Sequence, residues 1–139
     1  MENNDRQTGE TAKRRMLVAD DDPAILRLIA TILEKEDFTV VTARDGREAY
    51  KILQTDANFT AAILDVVMPY ISGPELVRYM VSEERLKQIP VMMMTAEQDP
   101  KLSADSFSAG ACVFLPKPFT TAQLQIMLQM LIGKKTTES

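Results

Sequence analysis

Short apolar runs alternate along this chain with longer stretches in which apolar residues return every three or four positions. The runs fall at residues 16–19, 38–42, 59–64, 90–95 and 111–115. They are continuous rather than alternating, as expected of strands covered on both faces in a parallel sheet. Between them, Ile25, Leu28, Ile29, Ile32 and Leu33 mark one face of a first helix, and Ala49, Ile52 and Leu53 a second. Leu76, Val77 and Met80 predict a third, and Leu124, Leu128 and Leu131 a last one. The fourth, around Pro100–Ala109, is Ser-rich and a weak helix former, with Gly110 as its C-cap. Five strand–helix alternations predict an α/β fold: a doubly wound, five-stranded parallel sheet with helices on both sides. In such sheets ligands bind just past the C-terminal strand ends.

The residues at that edge carry chemistry. Strand one runs into Asp20-Asp21-Asp22-Pro23, and strand three ends in Asp65, within Leu64-Asp65-Val66-Val67-Met68-Pro69. Strand four ends in Thr95-Ala96, and strand five in Leu115-Pro116-Lys117-Pro118-Phe119. Asp22 before Pro23 reads as a helix N-cap. Asp20 and Asp21 have no such duty, and beside Asp65 they would repel strongly in a partly dry cleft. A cation among them makes the cluster tolerable. Oxygen-only ligation points to a hard divalent ion such as Mg²⁺.

Composition narrows the chemistry further. The 139 residues include no His and one Cys, Cys112, so His-based acid–base work, His–metal clusters and an internal disulfide are all excluded within this chain. The formal charge of −4 argues against direct nucleic-acid binding, since Lys13-Arg14-Arg15 is the only dense basic run. No stretch has the length of a membrane span. We expect a flexible tail over 1–14, a single domain over 15–133 and a second tail over 134–139, in a cytoplasmic protein. With no output domain after residue 133, direct contact with DNA is not expected.

The acid pair, Asp65 followed by Met68-Pro69 and Gly73, Thr95-Ala96 and Lys117-Pro118 together resemble a response regulator receiver domain of two-component signalling, of the stand-alone kind similar to the chemotaxis receiver. The resemblance covers about residues 16–132. It implies the flavodoxin-like (βα)5 fold with strand order 2-1-3-4-5. It also implies Asp65 as phosphoacceptor, with Mg²⁺ held by Asp21, Asp65 and the backbone carbonyl of Val67, and by Asp20 through a water. Lys117, the Thr95 hydroxyl and the Ala96 N–H would stabilise the phosphoryl oxygens. Thr95 and Phe114 would form the switch, and the bond before Pro118 would be cis. The implied phosphoryl donor is a sensor histidine kinase or histidine phosphotransfer protein, since no His lies in this chain.

From Phe119 to Gly133 there is no charged residue. Ile126 and Met130 fall opposite the Leu124–Leu131 stripe and predict a partner or homodimer surface. In the family this belongs to the face built by the fourth helix, fifth strand and fifth helix, which contacts a downstream protein. A rival reading, an aspartate-nucleophile phosphatase, wants a second Asp two residues after the nucleophile as general acid, and Val67 stands there. A constitutive, degenerate receiver would have lost part of the acid, Thr or Lys set, and none is lost.

Overall fold

A computed structural model describes residues 14–96, 101, 104, 109–111 and 113–138, with side chains as far as 133. Five parallel strands form one sheet in the order β2-β1-β3-β4-β5. They are β1 (Arg14–Ala19), β2 (Phe38–Ala43), β3 (Ala61–Asp65), β4 (Val91–Thr95) and β5 (Val113–Pro116). The helices are α1 (Pro23–Lys35), α2 (Gly46–Thr55), α3 (Gly73–Ser82) and, last in the chain, α4 (Thr121–Glu138). The helix expected around Pro100–Ala109 lies mostly outside the described residues. Gly110 at its end has φ 125°, the left-handed backbone that suits a C-cap glycine.

Alternate strand residues feed two separate cores. Met16, Val18, Ile63, Met92, Met94 and Leu115 face α1 and α4, where Leu26, Ile29, Leu33, Leu124 and Leu128 close over them. Leu17, Ala19, Leu64 and Met93 face α2 and α3, against Leu53, Leu76, Val77 and Met80. Burying a side chain such as Ile29 or Leu33 contributes about 1.5–3 kcal/mol. This doubly covered sheet makes the runs Met16–Ala19, Ala61–Leu64 and Val91–Met94 within β1, β3 and β4 continuously apolar. β2 departs from the expected pattern: as an edge strand it leaves Thr39 and Thr42 exposed.

Helix starts follow their local chemistry. Asp22 Oδ1 accepts the Ala24 N–H at 2.9 Å, and Asp45 caps α2 through the Glu48 N–H at 2.8 Å. Ser72 and Glu75 form a reciprocal capping box at α3. Thr120 and Gln123 exchange the equivalent pair of bonds at the head of α4. That helix continues through Gly133 to Glu138, where the sequence reading placed a tail from 134. A Gly inside a helix costs about 1 kcal/mol against Ala but does not end it, and no Pro follows.

Candidate functional site

Parallel register brings the C-terminal ends of β1, β3, β4 and β5 to one rim. Ala19 pairs with Leu64, Asp65 with Met94, and Thr95 with Pro116. Asp20 and Asp65 therefore emerge side by side on adjacent strands, with Lys117 arriving one residue past β5. Asp20 is fully buried, Asp65 is 6% exposed and Thr95 is 6% exposed. These are the only buried polar or charged residues among those described.

Lys117 Nζ lies 2.7 Å from Asp20 Oδ2 and 3.3 Å from Asp65 Oδ2, so one ammonium serves two carboxylates. The contact with Asp20 Oδ2 is an ion pair without hydrogen-bond alignment, which leaves that buried oxygen with no aligned donor. Asp20 Oδ1 is occupied otherwise: it accepts the Asp22 N–H at 2.9 Å, folding the acidic turn back on itself. Asp21 is exposed beside these two acids.

Two acids against one base leave the site short of positive charge. Burial pushes the Asp65 carboxyl up to about 6, the Asp20 charge adds to the rise, and Lys117 opposes both. Burial works against the Lys117 charge, yet the close Asp20 and Asp65 carboxylates prevail and raise its pKa.

One oxygen each from Asp20, Asp21 and Asp65 lies within 4.8 Å of the others. Oxygens across a Mg²⁺ octahedron stand about 4.2 Å apart, so a cluster of this size is of the right order to surround such an ion. The donor set is all oxygen, and its three carboxylates have the single ammonium of Lys117 against them. On both counts these residues fit a hard divalent cation.

The remaining residues singled out in the sequence are distributed around this centre. Ala96 is exposed just beyond Thr95, and Val67 is 55% exposed two residues after Asp65. The Lys117–Pro118 peptide is cis. Phe114 is half-buried and packs on the α2–α3 core. Ile126 and Met130 lie outside the rim on α4, 59% and 60% exposed.

Sequence reasoning missed the loop beside the acids. Tyr70, 66% exposed, holds φ 75° in a γ-turn closed by the Ile71 N–H on the Pro69 carbonyl at 2.9 Å. The same carbonyl accepts the Gly46 N–H at 3.3 Å, and the Arg47 guanidinium lies 3.8 Å over the Tyr70 ring. Nothing in a tyrosine announces left-handed backbone, which favours Gly or Asn.

Comparison with known proteins agrees with this geometry. Residues 16–129 match the family model of the response regulator receiver domain. The chain is 32% identical over 124 residues to the response regulator MprA of Mycolicibacterium vanbaalenii, covering 89% of this chain and 52% of that protein. It thus spans about half the length of the curated relatives it matches. Among solved structures, chemotaxis protein CheY4 of Vibrio cholerae superposes with a TM-score of 0.80 at 32% identity, covering 86% of this chain and 99% of that one. The receiver domain of sensor histidine kinase PA1611 from Pseudomonas aeruginosa, solved with a magnesium ion in its active-site cleft, gives 0.79 at 26% identity, over 88% and 99%. This chain belongs to the response regulator receiver domain family of two-component signalling.

Proposed function

We propose that this domain accepts a phosphoryl group on Asp65 and thereby changes its affinity for a protein partner. The observation that carries the reading is the buried Asp20–Lys117–Asp65 triad with Asp21 beside it. Phosphoryl transfer needs positioning and neutralisation of the oxygens more than covalent help. An Asp65 oxygen attacks phosphorus while the P–N bond to a phosphohistidine breaks. The electron pair leaves with the imidazole nitrogen, which is then protonated from water. The product on Asp65 is a mixed carboxylic–phosphoric anhydride.

Asp21, Asp65 and the Val67 carbonyl would hold Mg²⁺, with Asp20 reaching it through a water, and the ion would neutralise phosphoryl charge. Lys117 supplies a fixed positive charge, and Thr95 Oγ1 and the Ala96 N–H supply hydrogen bonds. Three carboxylates then balance Mg²⁺ plus Lys117. Phosphorylation replaces one carboxylate charge with about −1.5 to −2, which draws the donors of Thr95 inward. Phe114 follows in this reading. The consequence reaches a shallow cleft of about 160 Å³ lined by Phe114, Leu115, Pro116, Gln123, Ile126 and Met127, where a downstream protein or a second copy would dock.

The donor would be a sensor histidine kinase or phosphotransfer protein in the cytoplasm. No helix among the described residues is long and apolar enough to cross a membrane. The domain acts as a self-catalysed acceptor rather than a turnover enzyme.

Incubation with acetyl phosphate and Mg²⁺, followed by a phosphate-affinity gel, tests the reading. A retarded band is expected that needs Mg²⁺ and vanishes in Asp65→Asn. A wild type without the band, or a band surviving in Asp65→Asn, overturns it.

A further inference from the structure

Phosphorylation at one strand end can alter Phe114 only if the core between them yields. Close-packed interiors give way at side chains with low-cost alternative rotamers, and β-branched residues are the stiffest choice in a strand. β4 is the strand in between. Where buried parallel strands usually take Val and Ile, it carries Met92-Met93-Met94, all at 0% exposure.

The three methionines are not equivalent. Met92 and Met94 point into the α1–α4 core. Met93 points into the α2–α3 core, the face on which Phe114 packs. In register it stands between Leu64 of β3 and Phe114 of β5, and Thr95 lies two residues on, on the same side of the strand. Its thioether reaches toward the acceptor as well. A Cβ placed on Gly73 would meet Met93 Cε at 3.0 Å and Sδ at 3.1 Å, and the Asp65 carbonyl oxygen at 2.5 Å. Gly73 in turn donates its N–H to the Val66 carbonyl at 2.9 Å. The Met93 side chain therefore borders the acceptor's backbone at its tip, Thr95 along its strand and Phe114 across the sheet.

We propose that Met93 is the adaptable packing element through which a change at Asp65 and Thr95 is passed to Phe114. A thioether with three rotatable bonds re-packs as the aromatic ring moves, whereas a β-branched side chain of similar volume holds the ring in place. Met93 is thus a positioning residue for the switch, with no part in the phosphoryl chemistry. The inference rests on the phosphoacceptor reading above.

The test uses the full chain labelled with 4-fluorophenylalanine, the Phe114 resonance being assigned through Phe114→Leu. Beryllofluoride with Mg²⁺ serves as the phosphoryl mimic, and ¹⁹F NMR compares wild type, Met93→Ile and Met92→Ile. Met92→Ile makes the same chemical change at equal burial on the opposite face. All three should bind the mimic with apparent affinities within threefold. The Phe114 shift should fall by at least half in Met93→Ile and stay at the wild-type value in Met92→Ile. Should Met93→Ile fold poorly, Met93→Leu removes the flexible thioether without branching at Cβ, and an intermediate loss is expected. Equal shifts in the Met92 and Met93 variants would overturn the relay. A wild type that takes up no mimic would instead overturn the phosphoacceptor reading, and the relay with it.

Discussion

The two ends of the sheet use the same chemistry to opposite effect. At the N-terminal edge Arg15 meets Asp56 through two contacts of 2.9 Å, donates to the Asn58 carbonyl at 2.9 Å and lies 4.7 Å over the Phe59 ring. Each charge there has its counterpart, and the hydrogen bond from Arg15 holds the Asp56 carboxyl below its ordinary range. At the C-terminal edge one Lys117 stands between two deeply buried acids, and Asp65 is driven upward instead. A satisfied ion pair ties the chain ends of two elements together. A charge-deficient cluster stores a demand for cations, as a site that fits a divalent metal ion does.

Removing Lys117 should break this contrast most severely. Lys117→Met leaves Asp20 and Asp65 facing each other without a countercharge, and breaking a buried pair in this way costs about 3–5 kcal/mol. Urea unfolding at pH 7.5 in chelator should register that loss, and millimolar Mg²⁺ should recover part of it. A loss under about 1 kcal/mol would mean that the cluster is far better solvated than its burial indicates.

Neutralising Asp65 should act in the opposite direction. The Asp65 carboxyl titrates near 6 when folded against 3.8 for the free group, so the native state holds its proton more tightly than the unfolded chain. The associated stability is fully present below about pH 4 and is lost as pH rises through 6. Metal-free Asp65→Asn should therefore exceed wild type by about 2 kcal/mol at pH 8, at roughly 1.4 kcal/mol per unit and with some allowance for solvent screening. At pH 4 the two should converge. A constant difference across that window would remove burial of a charged Asp65 as the cause.

The same two edges show what a sequence discloses. Runs such as Ala61–Leu64 and the Leu124–Leu128 spacing reveal strands and helices because burial demands apolar side chains at fixed periods. The acid rim was legible because parallel topology sends every strand's C-terminal end to one place, so Asp20, Asp65, Thr95 and Lys117 had to converge there. What local pattern could not disclose was the division among like residues. Asp20 and Asp21 are chemically identical neighbours, yet the pleat buries one completely and leaves the other exposed. Tyr70 was invisible for a different reason: its backbone is set by the Gly46 and Ile71 contacts with Pro69, not by its own preference. Met92-Met93-Met94 read as uniform core, and only the register assigns Met93 to the face that bears Phe114.

The smallest expected effect lies at the satisfied edge and sharpens the contrast through its pH dependence. Arg15→Ala removes a partly exposed bidentate pair together with the packing on Phe59, a loss of about 1–2 kcal/mol at pH 7. Because the folded Asp56 carboxyl sits below 3.8, its contribution is present above that value and disappears as the pH falls through the folded pKa. Between about pH 4 and 6, where the Asp65 contribution changes, the Arg15→Ala difference should stay flat. Below pH 4, where the Asp65 contribution is already constant, it should shrink. The double variant with Asp65→Asn should be additive within about 0.5 kcal/mol, since the two groups sit at opposite strand ends and share no partner. Coupling beyond that would mean that the charge shortage at the acid rim is felt along the full length of the strands, and the two edges would then have to be treated as one electrostatic system.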